Sequence, residues 1–449
     1  MIGPVDFVGL EHLAVAEASW REPLEVLNGL ADRDGVVGLI SDGGPEGRWS
    51  FVMAGPDRVT AAGPGEASGF DPLTDLRLRA VAAGAPAPFA GGWIGVASYD
   101  LGARRLIGRA AGDWPDLILM RFPAVVAFDH VARRVVRIGR ASDLAGAEAR
   151  LADSEAWLSA ARPTQAPSPP AASWRDAASP EAYRAAVADV VRRIGEGELF
   201  QANIGRAFEG ELAPRRDPFD VFLRSALSGP APYSAWLRLG DRALVSNSPE
   251  RFLRIDEAGR LEALPIKGTA PRGRTPDEDA AGAARLLASA KDRAENLMIV
   301  DLMRNDLARV SQAGGVAVEE LFALRSYERV HHLVSRVTAR PRPGLSVADA
   351  LEATFPPGSI TGAPKHQAMR VIAGHEPPRG PWCGSMFHVG ADGGFDASVL
   401  IRTLAFGRSA SAWTWRGAAG AGITADSDPE AELRETDLKM AALRAALIG

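Results

Sequence analysis

Lys267 is the residue whose type and setting point most directly to chemistry. It stands in the apolar, strand-like run LPIKGTAP at 264–271, with Gly268 and Thr269 directly after it. An amine held among apolar groups loses its proton more readily, because desolvation disfavours the ammonium form. A neutral amine is a nucleophile near neutral pH. An edge-strand lysine that snorkels to water would fit the same octapeptide. The basic residues give this lysine added weight. Of 51, only Lys267, Lys291, Lys365 and Lys439 are lysine, and the other 47 are arginine. Arginine replaces lysine in solvated ion pairs but offers no free amine.

Two acidic patches fall on segments with helical spacing. In KDRAENLMIVDLMRND, Glu295 lies four residues after Lys291, and in DPEAELRETDLK, Glu432 and Glu435 share a face with Lys439 following at i,i+4. Such spacings ordinarily make solvated ion pairs. A carboxylate from one helix facing two from another would also suit Mg²⁺, which takes oxygen ligands and keeps several waters. Two glycine-containing segments, PPGSITGAPK at 356–365 and Gly420–Ala421–Gly422, read as turns that let backbone N–H groups approach an anion. Neither is a P-loop or a dinucleotide fingerprint. Arg402, in the strand-like run VLIRTLAF, needs an anionic partner if buried, and a substrate carboxylate would serve.

These residues need elements to hold them. Ser179–Pro180 starts a helix, with serine at the N-cap and proline at the first turn. Tyr183, Val187, Val190, Val191 and Ile194 continue it at helical spacing, and Gly195 and Gly197 end it. In LFQANIGRAF, Phe200, Ala202, Ile204 and Phe208 take one strand face, with Gln201 and Asn203 on the other. A long helix, broken once, is expected over Asp279–Val310, and a last one from Asp428–Pro429. RWSFVMA at 48–54, GGWIGVASYD at 91–100 and AVVAFD at 124–129 read as strands. The proline-rich stretch Ala161–Ala172 reads as a linker. The organisation expected is an N-terminal region over 1–160, a Pro/Ala-rich linker over 161–178 and a catalytic region over 179–449. Without a regular βαβ rhythm, the class is α+β with large, mainly antiparallel sheets.

Composition narrows the function classes. The 449 residues carry a net charge of −5, which gives no reason to expect nucleic-acid binding. No apolar run approaches the roughly 18 residues that span a bilayer, and no secretory leader is visible. The single cysteine, Cys383, excludes an internal disulfide framework and a Cys-rich metal site. A cytoplasmic protein is expected, with neither nucleic acid nor membrane as partner.

Together the segments resemble one family. NSPERF at 247–252, PIKGT at 265–269, KDRAENLMIVDLMRNDLARV at 291–310, VHHLVS at 330–335, GSITGAPK at 358–365, IRTL at 401–404 and the C-terminal GAGITADS with EAELRET follow the order and spacing of the chorismate-utilising enzymes. Within these the chain looks most like aminodeoxychorismate synthase component I, a close relative of anthranilate synthase component I. Weaker echoes at 47–51 and 91–102 extend the likeness toward the N-terminus. The resemblance implies an intertwined fold with two opposed, mainly antiparallel sheets and outer helices, holding chorismate between them. It implies Mg²⁺ on Glu295 and Glu435, with Glu432 as ligand or neighbour. It implies substrate contacts from Gly268, Thr269, Arg402 and the Gly420–Ala421–Gly422 segment, with His332 near the ring.

The lysine of PIKGT separates the subgroups, since anthranilate synthases carry alanine there. In the aminodeoxychorismate synthases it is held to attack C2 of chorismate as the C4 hydroxyl departs, after which ammonia adds at C4 and expels the lysine. Such a route replaces one hard substitution by two easier ones, and Glu250 is the expected acid for the departing hydroxyl. The function implied is amination of chorismate to 4-amino-4-deoxychorismate, toward para-aminobenzoate and folate, with ammonia from a separate class I glutamine amidotransferase subunit. The alternatives are anthranilate formation, or a ligand-binding homologue without catalysis. Three features depart from the pattern: Gly-Ala-Gly at 420–422, Phe387 where glycine is common in WCGSMFH, and LIS at 39–41 without the glutamate tied to tryptophan feedback.

Overall fold

Short runs of apolar residues with turn-forming breaks commit most of the chain to two antiparallel sheets. The computed structural model describes residues 2–327, 330–409 and 412–449. Among these, a twelve-stranded sheet runs from His12–Ala18 at one edge, through Trp49–Met53, Val36–Ile40 and Tyr233–Leu239, to Arg242–Ser248, Thr403–Arg408, Trp413–Ile423 and Gln201–Glu211. A ten-stranded sheet runs from Ile266–Pro271 and Val330–Pro341, through Arg251–Ile255, Phe395–Val399, Ser385–Gly390 and Gly92–Ala97, to Arg58–Ala62. Strands from before and after the proline-rich stretch 161–172 enter both sheets, so the fold is intertwined as the family resemblance implies. The stretch itself crosses the surface until Arg175–Asp176 pairs with Phe208 and Glu209.

Helices cover the outer faces, and their ends follow local rules. Ser179 caps Pro180–Gly195 by accepting from the Ala182 N–H at 3.2 Å. This helix buries Tyr183, Val187 and Val190 against Ala202, Ile204 and Ala421. At about 1.5–3 kcal/mol for each large apolar side chain fully buried, packing rather than propensity sets its position. The helix expected over 279–310 is two, Pro276–Ala288 and Ala290–Ala308. Ser289 ends the first with extended ψ and caps the second through the Asp292 N–H, 3.2 Å. Asp428 caps Pro429–Ile448, accepting from Ala431 N–H at 2.8 Å. No helix among the described residues is long and apolar enough to cross a membrane.

Local pattern misplaces four features. Phe200 lies just outside its strand and is 69% exposed, while Gln201 and Asn203 on the supposed polar face are buried. GGWIGVASYD is a strand only to Ala97, and its last residues open the helix Tyr99–Ile107. Gly420–Ala421–Gly422 is no turn: it lies inside Trp413–Ile423, registered on Gly205, Ile204 and Asn203. VLIRTLAF is broken, because the chain leaves one sheet at Val399 and joins the other at Thr403. Phe387, in place of the usual glycine, turns its ring onto Gly95 and packs 6.0 Å from Phe395. A side chain at 95 would collide with it.

Candidate active site

The chain passes between the sheets twice in neighbouring places, and each passage carries a singled-out residue. Arg242–Ser248 belongs to the first sheet and Arg251–Ile255 to the second, with Glu250 at the junction. The return passage, 400–402, carries Arg402, held at φ 50°. The passages are tied together: Asn247 N–H donates to the Arg402 carbonyl at 3.0 Å, and Val399 N–H to the Glu250 carbonyl at 3.0 Å. Left-handed backbone is costly for a residue with a Cβ, so Arg402 is fixed by this crossing rather than by strand geometry.

Lys267 closes the gap between the sheets. It sits on Ile266–Pro271 of the ten-stranded sheet, yet its Nζ lies 3.3 Å from where a methyl group at Gly422 of the other sheet would stand. The other lysines are engaged. Lys365 Nζ is buried on Asp306 at 2.6 Å and on the Thr354 and Pro356 carbonyls at 2.9 Å. Lys291 stands 3.9 Å from Glu295 and Lys439 2.6 Å from Glu435. Among the described residues, Lys267 alone of the four has no carboxylate within ion-pair distance. Burial holds its ammonium below the ordinary range against the pull of Glu295, Glu250 and Glu435, with Lys439 adding to the depression. Gly268 follows at φ 82°, with space for a methyl group only 3.0 Å from Asp292. Its missing side chain lets the Ala290–Ala308 helix approach.

The acidic side chains differ in state. Glu250 is 6% exposed, and burial pushes its carboxyl up to about 7, opposed by a hydrogen bond with Ser359 and by the charges of Lys267 and Lys439. Burial also raises Glu295, against Lys267 and Lys291, with Asp292 and Glu435 adding to the rise. Glu432 is raised by burial and by Glu435, and accepts from Ser427 Oγ at 2.7 Å. For Glu435, burial is outweighed by Lys439, Lys267 and Lys291, and its carboxyl lies below the ordinary range. Carboxylates of the Ala290–Ala308 and Pro429–Ile448 helices thus sense one another beside Lys267. Among the described residues no three acidic, histidine or cysteine side chains stand close enough to hold a metal ion as they are.

His332 pairs across strands with Thr269, whose Oγ1 lies 2.9 Å from its Nδ1. Burial, with Arg402 nearby, pushes its imidazole down to about 4, against a hydrogen bond to the Gly268 backbone, so it is neutral at physiological pH. Arg402 makes no ion pair among the described residues, and burial alone lowers its pKa. PPGSITGAPK is no open anion cradle: it is buried, places Ser359 on Glu250, and sends Lys365 inward.

Two residues escaped the sequence reading as functional groups. Gln201 is fully buried with both amide atoms unpaired among the described residues, and Asn203 Oδ1 is buried and likewise unpaired there. A methyl group at Gly422 would stand 2.5 Å from Gln201 Nε2, so the amide lies beside the Lys267 amine. A polar pair interrupting an apolar strand was the available signal. Gly422→Ala is expected to lower kcat/KM by roughly tenfold to a hundredfold without lowering the melting temperature. The added methyl drives the buried Gln201 amide from its place beside the Lys267 amine and crowds that amine as well; full activity in this variant would remove the contact from the site.

Cys383 is fully buried and its thiol is pushed up to about 12 by burial. It is a core residue.

Comparisons with known proteins place the chain in a family. The family model described as chorismate binding enzyme matches residues 39–445. Aminodeoxychorismate synthase component 1 of Klebsiella aerogenes is 41% identical over 359 residues, 78% of this chain and 75% of that protein. Anthranilate synthase component 1 of Methanothermobacter marburgensis is 34% identical over 455 residues, 97% of this chain and 95% of its own. The crystal structure of anthranilate synthase component I from Streptococcus pneumoniae superposes with a TM-score of 0.75 at 26% identity, covering 88% of this chain and 92% of that one. MenF, the menaquinone-specific isochorismate synthase of Escherichia coli, shares the fold with a TM-score of 0.71 at 18% identity, over 98% and 95% of the two chains. The match spans both sheets and both passages between them: this chain belongs to the chorismate binding enzyme family.

Proposed function

We propose that this chain aminates chorismate at C4, giving 4-amino-4-deoxychorismate and water. The observation that carries the reading is Lys267, a part-buried amine without an ion-pair partner among the described residues, facing Gly422 across the gap between the sheets. Its Nζ attacks C2; the ring double bonds shift, and the C4 hydroxyl leaves as water with the proton of Glu250. Ammonia then adds at C4, the double bonds shift back, and the C2–N bond to Lys267 breaks. Glu250, with its carboxyl near 7, is protonated often enough to serve as the acid. Arg402 takes a substrate carboxylate as the anion it lacks. Neutral His332 and Thr269 border the ring, with Gly268 and Gly420–Gly422 as close backbone walls. Gln201 offers an unpaired amide to the incoming ammonia.

Mg²⁺ suits the chemistry of the donors, since Glu295 and Glu435 offer hard oxygen ligands from two helices whose carboxylates sense one another, with Glu432 as ligand or neighbour. When bound, it supplies charge stabilisation at the ring carboxylate. Lys291 and Lys439 neutralise Glu295 and Glu435 otherwise. Glu295→Gln and Glu435→Gln should each raise the half-saturating Mg²⁺ by roughly tenfold or more, each removing an anionic ligand. Unchanged Mg²⁺ titrations in both would move the ion elsewhere.

The buried Cys383 supports a division of labour in which a separate glutaminase subunit releases ammonia from glutamine. The protein then uses ammonium salts, but not glutamine, by itself. A second reading, anthranilate formation, is favoured by the near full-length alignment with anthranilate synthases and by Gly-Ala-Gly at 420–422. Incubation with chorismate, Mg²⁺ and ammonium separates the two. The expected product retains its enolpyruvyl group and yields para-aminobenzoate with a lyase; fluorescent anthranilate would establish the second reading.

A further inference from the structure

A buried guanidinium grips two stretches of backbone that carry residues of the candidate active site. Arg379, 6% exposed, donates to the Ile360 carbonyl at 3.0 Å and to the Asn203 carbonyl at 2.7 Å. Glu376 takes two more of its N–H groups, at 2.8 and 2.9 Å, and also accepts from the Gly205 N–H at 2.6 Å. The guanidinium lies over the rings of Tyr99 and Trp382, at 4.6 and 4.7 Å. Its own backbone is pinned by the helix Tyr99–Ile107. Asp100 accepts from the Arg379 and Gly380 N–H groups, both at 2.9 Å. A charge leaves water only where fixed acceptors replace the water; here they are one carboxylate and two carbonyls.

What those carbonyls belong to gives the contact its meaning. Ile360 follows Ser359, whose hydroxyl bonds the Glu250 carboxyl. On the other side of Ser359, Lys365 Nζ holds the Thr354 and Pro356 carbonyls at 2.9 Å. Ser359 thus sits between two buried cations that grip backbone on either side of it. Asn203 lies on the strand that brings Gln201 beside Lys267. Its N–H donates to the Thr361 carbonyl at 2.8 Å while its own carbonyl takes Arg379. One side chain therefore ties the Glu250 side of the site to the Gln201 side. The amination steps make no use of Arg379 itself.

We propose that Arg379 is a positioning residue for the proton donation, holding the Ser359 hydroxyl against the Glu250 carboxyl through the Ile360 carbonyl; this rests on the reading of Glu250 as the acid. A hydroxyl that donates to a carboxylate favours its charged form, so Ser359 offsets part of the rise that burial imposes on Glu250. The charges that face this carboxyl are Lys267 on the ten-stranded sheet and Lys439 on the last helix. The Cys383 thiol, the other titratable group beside it, is pushed up to about 12 and stays neutral over the working range. Without the Ser359 bond, Glu250 keeps its proton to higher pH and gives it up less readily.

The test is Arg379→Lys, which keeps the charge but cannot span Ile360, Asn203 and Glu376 at once, with thermal melts showing that it folds. Its kcat should fall by roughly tenfold, with KM for chorismate changed by less than about threefold. At constant free ammonia, the alkaline limb of kcat/KM should move upward by about half a pH unit. Ser359→Ala should move the limb upward by at least as much. The double variant should go no further than Ser359→Ala alone, because Arg379 acts through that hydroxyl. A limb at the parental pH in Arg379→Lys, or a double variant that adds the two displacements, overturns the proposal. If Arg379→Lys does not fold, Asp100→Asn decides: it leaves the guanidinium in place and turns one of the two acceptors that pin its backbone into a donor. An upward displacement then supports the positioning role, and an unmoved limb overturns it. A parent with no alkaline limb refutes Glu250 as the acid, a separate failure.

Discussion

Lys267→Arg is expected to fold as the parent does and to lose amination by on the order of a thousandfold in kcat. Lys267→Ala should fall as far. Arginine keeps the positive charge near Glu295, Glu250 and Glu435, the groups that act on Lys267, but it has no amine to give. Because both variants leave Arg402 and Thr269 in place, chorismate binding should survive, and the loss should appear in kcat rather than KM. A near-parental rate in Lys267→Arg would make the lysine an electrostatic group and end its covalent role.

Glu250→Gln should separate activity from stability. The amide is close in shape but cannot donate a proton to the departing hydroxyl, so kcat should drop by roughly two to four orders of magnitude. Stability should move the other way at high pH. The carboxyl of Glu250 lies at about 7 in the fold against an ordinary 4.5, so the fold favours its protonated form. That stabilisation is complete below the ordinary value and is lost as pH rises through about 7, a change of roughly 3 kcal/mol. Glutamine does not ionise. Denaturation midpoints should therefore coincide more nearly at pH 4 and favour Glu250→Gln at pH 8. The parent's kcat/KM for chorismate should also fall on the alkaline side as Glu250 loses its proton. A variant no more stable than its parent at pH 8 would mean that Glu250 is not held protonated by burial.

The legible parts of this protein are those set by neighbours in sequence. Ser179 and Asp428 announce helix starts because a cap needs only its own side chain and the next turn. The apolar setting of Lys267 is likewise local, and the α+β class with large antiparallel sheets follows from many short alternating runs, whereas their number came from the family resemblance. What the residues alone could not place depends on distant strands. Glu250 and Arg402 owe their positions to two passages between sheets that lie far apart in the chain. Gly420–Gly422 reads as a turn because glycines are permissive, whereas pairing with Gln201–Glu211 draws it out as strand. Lys365 reads like any other scarce lysine until Asp306 and two carbonyls are found around it. Gln201 and Asn203 alternate as a solvated face would, and only residues distant in the chain make them buried.

The covalent role of Lys267 is tested most directly by withholding the second nucleophile. Enzyme is mixed with chorismate and Mg²⁺ without ammonia, quenched rapidly, digested and analysed by mass. The peptide containing Lys267 should gain the mass of chorismate less one water, and the gain should disappear in Lys267→Arg. Unmodified Lys267 in such samples, from a preparation that aminates chorismate at full rate once ammonium is supplied, would contradict the account.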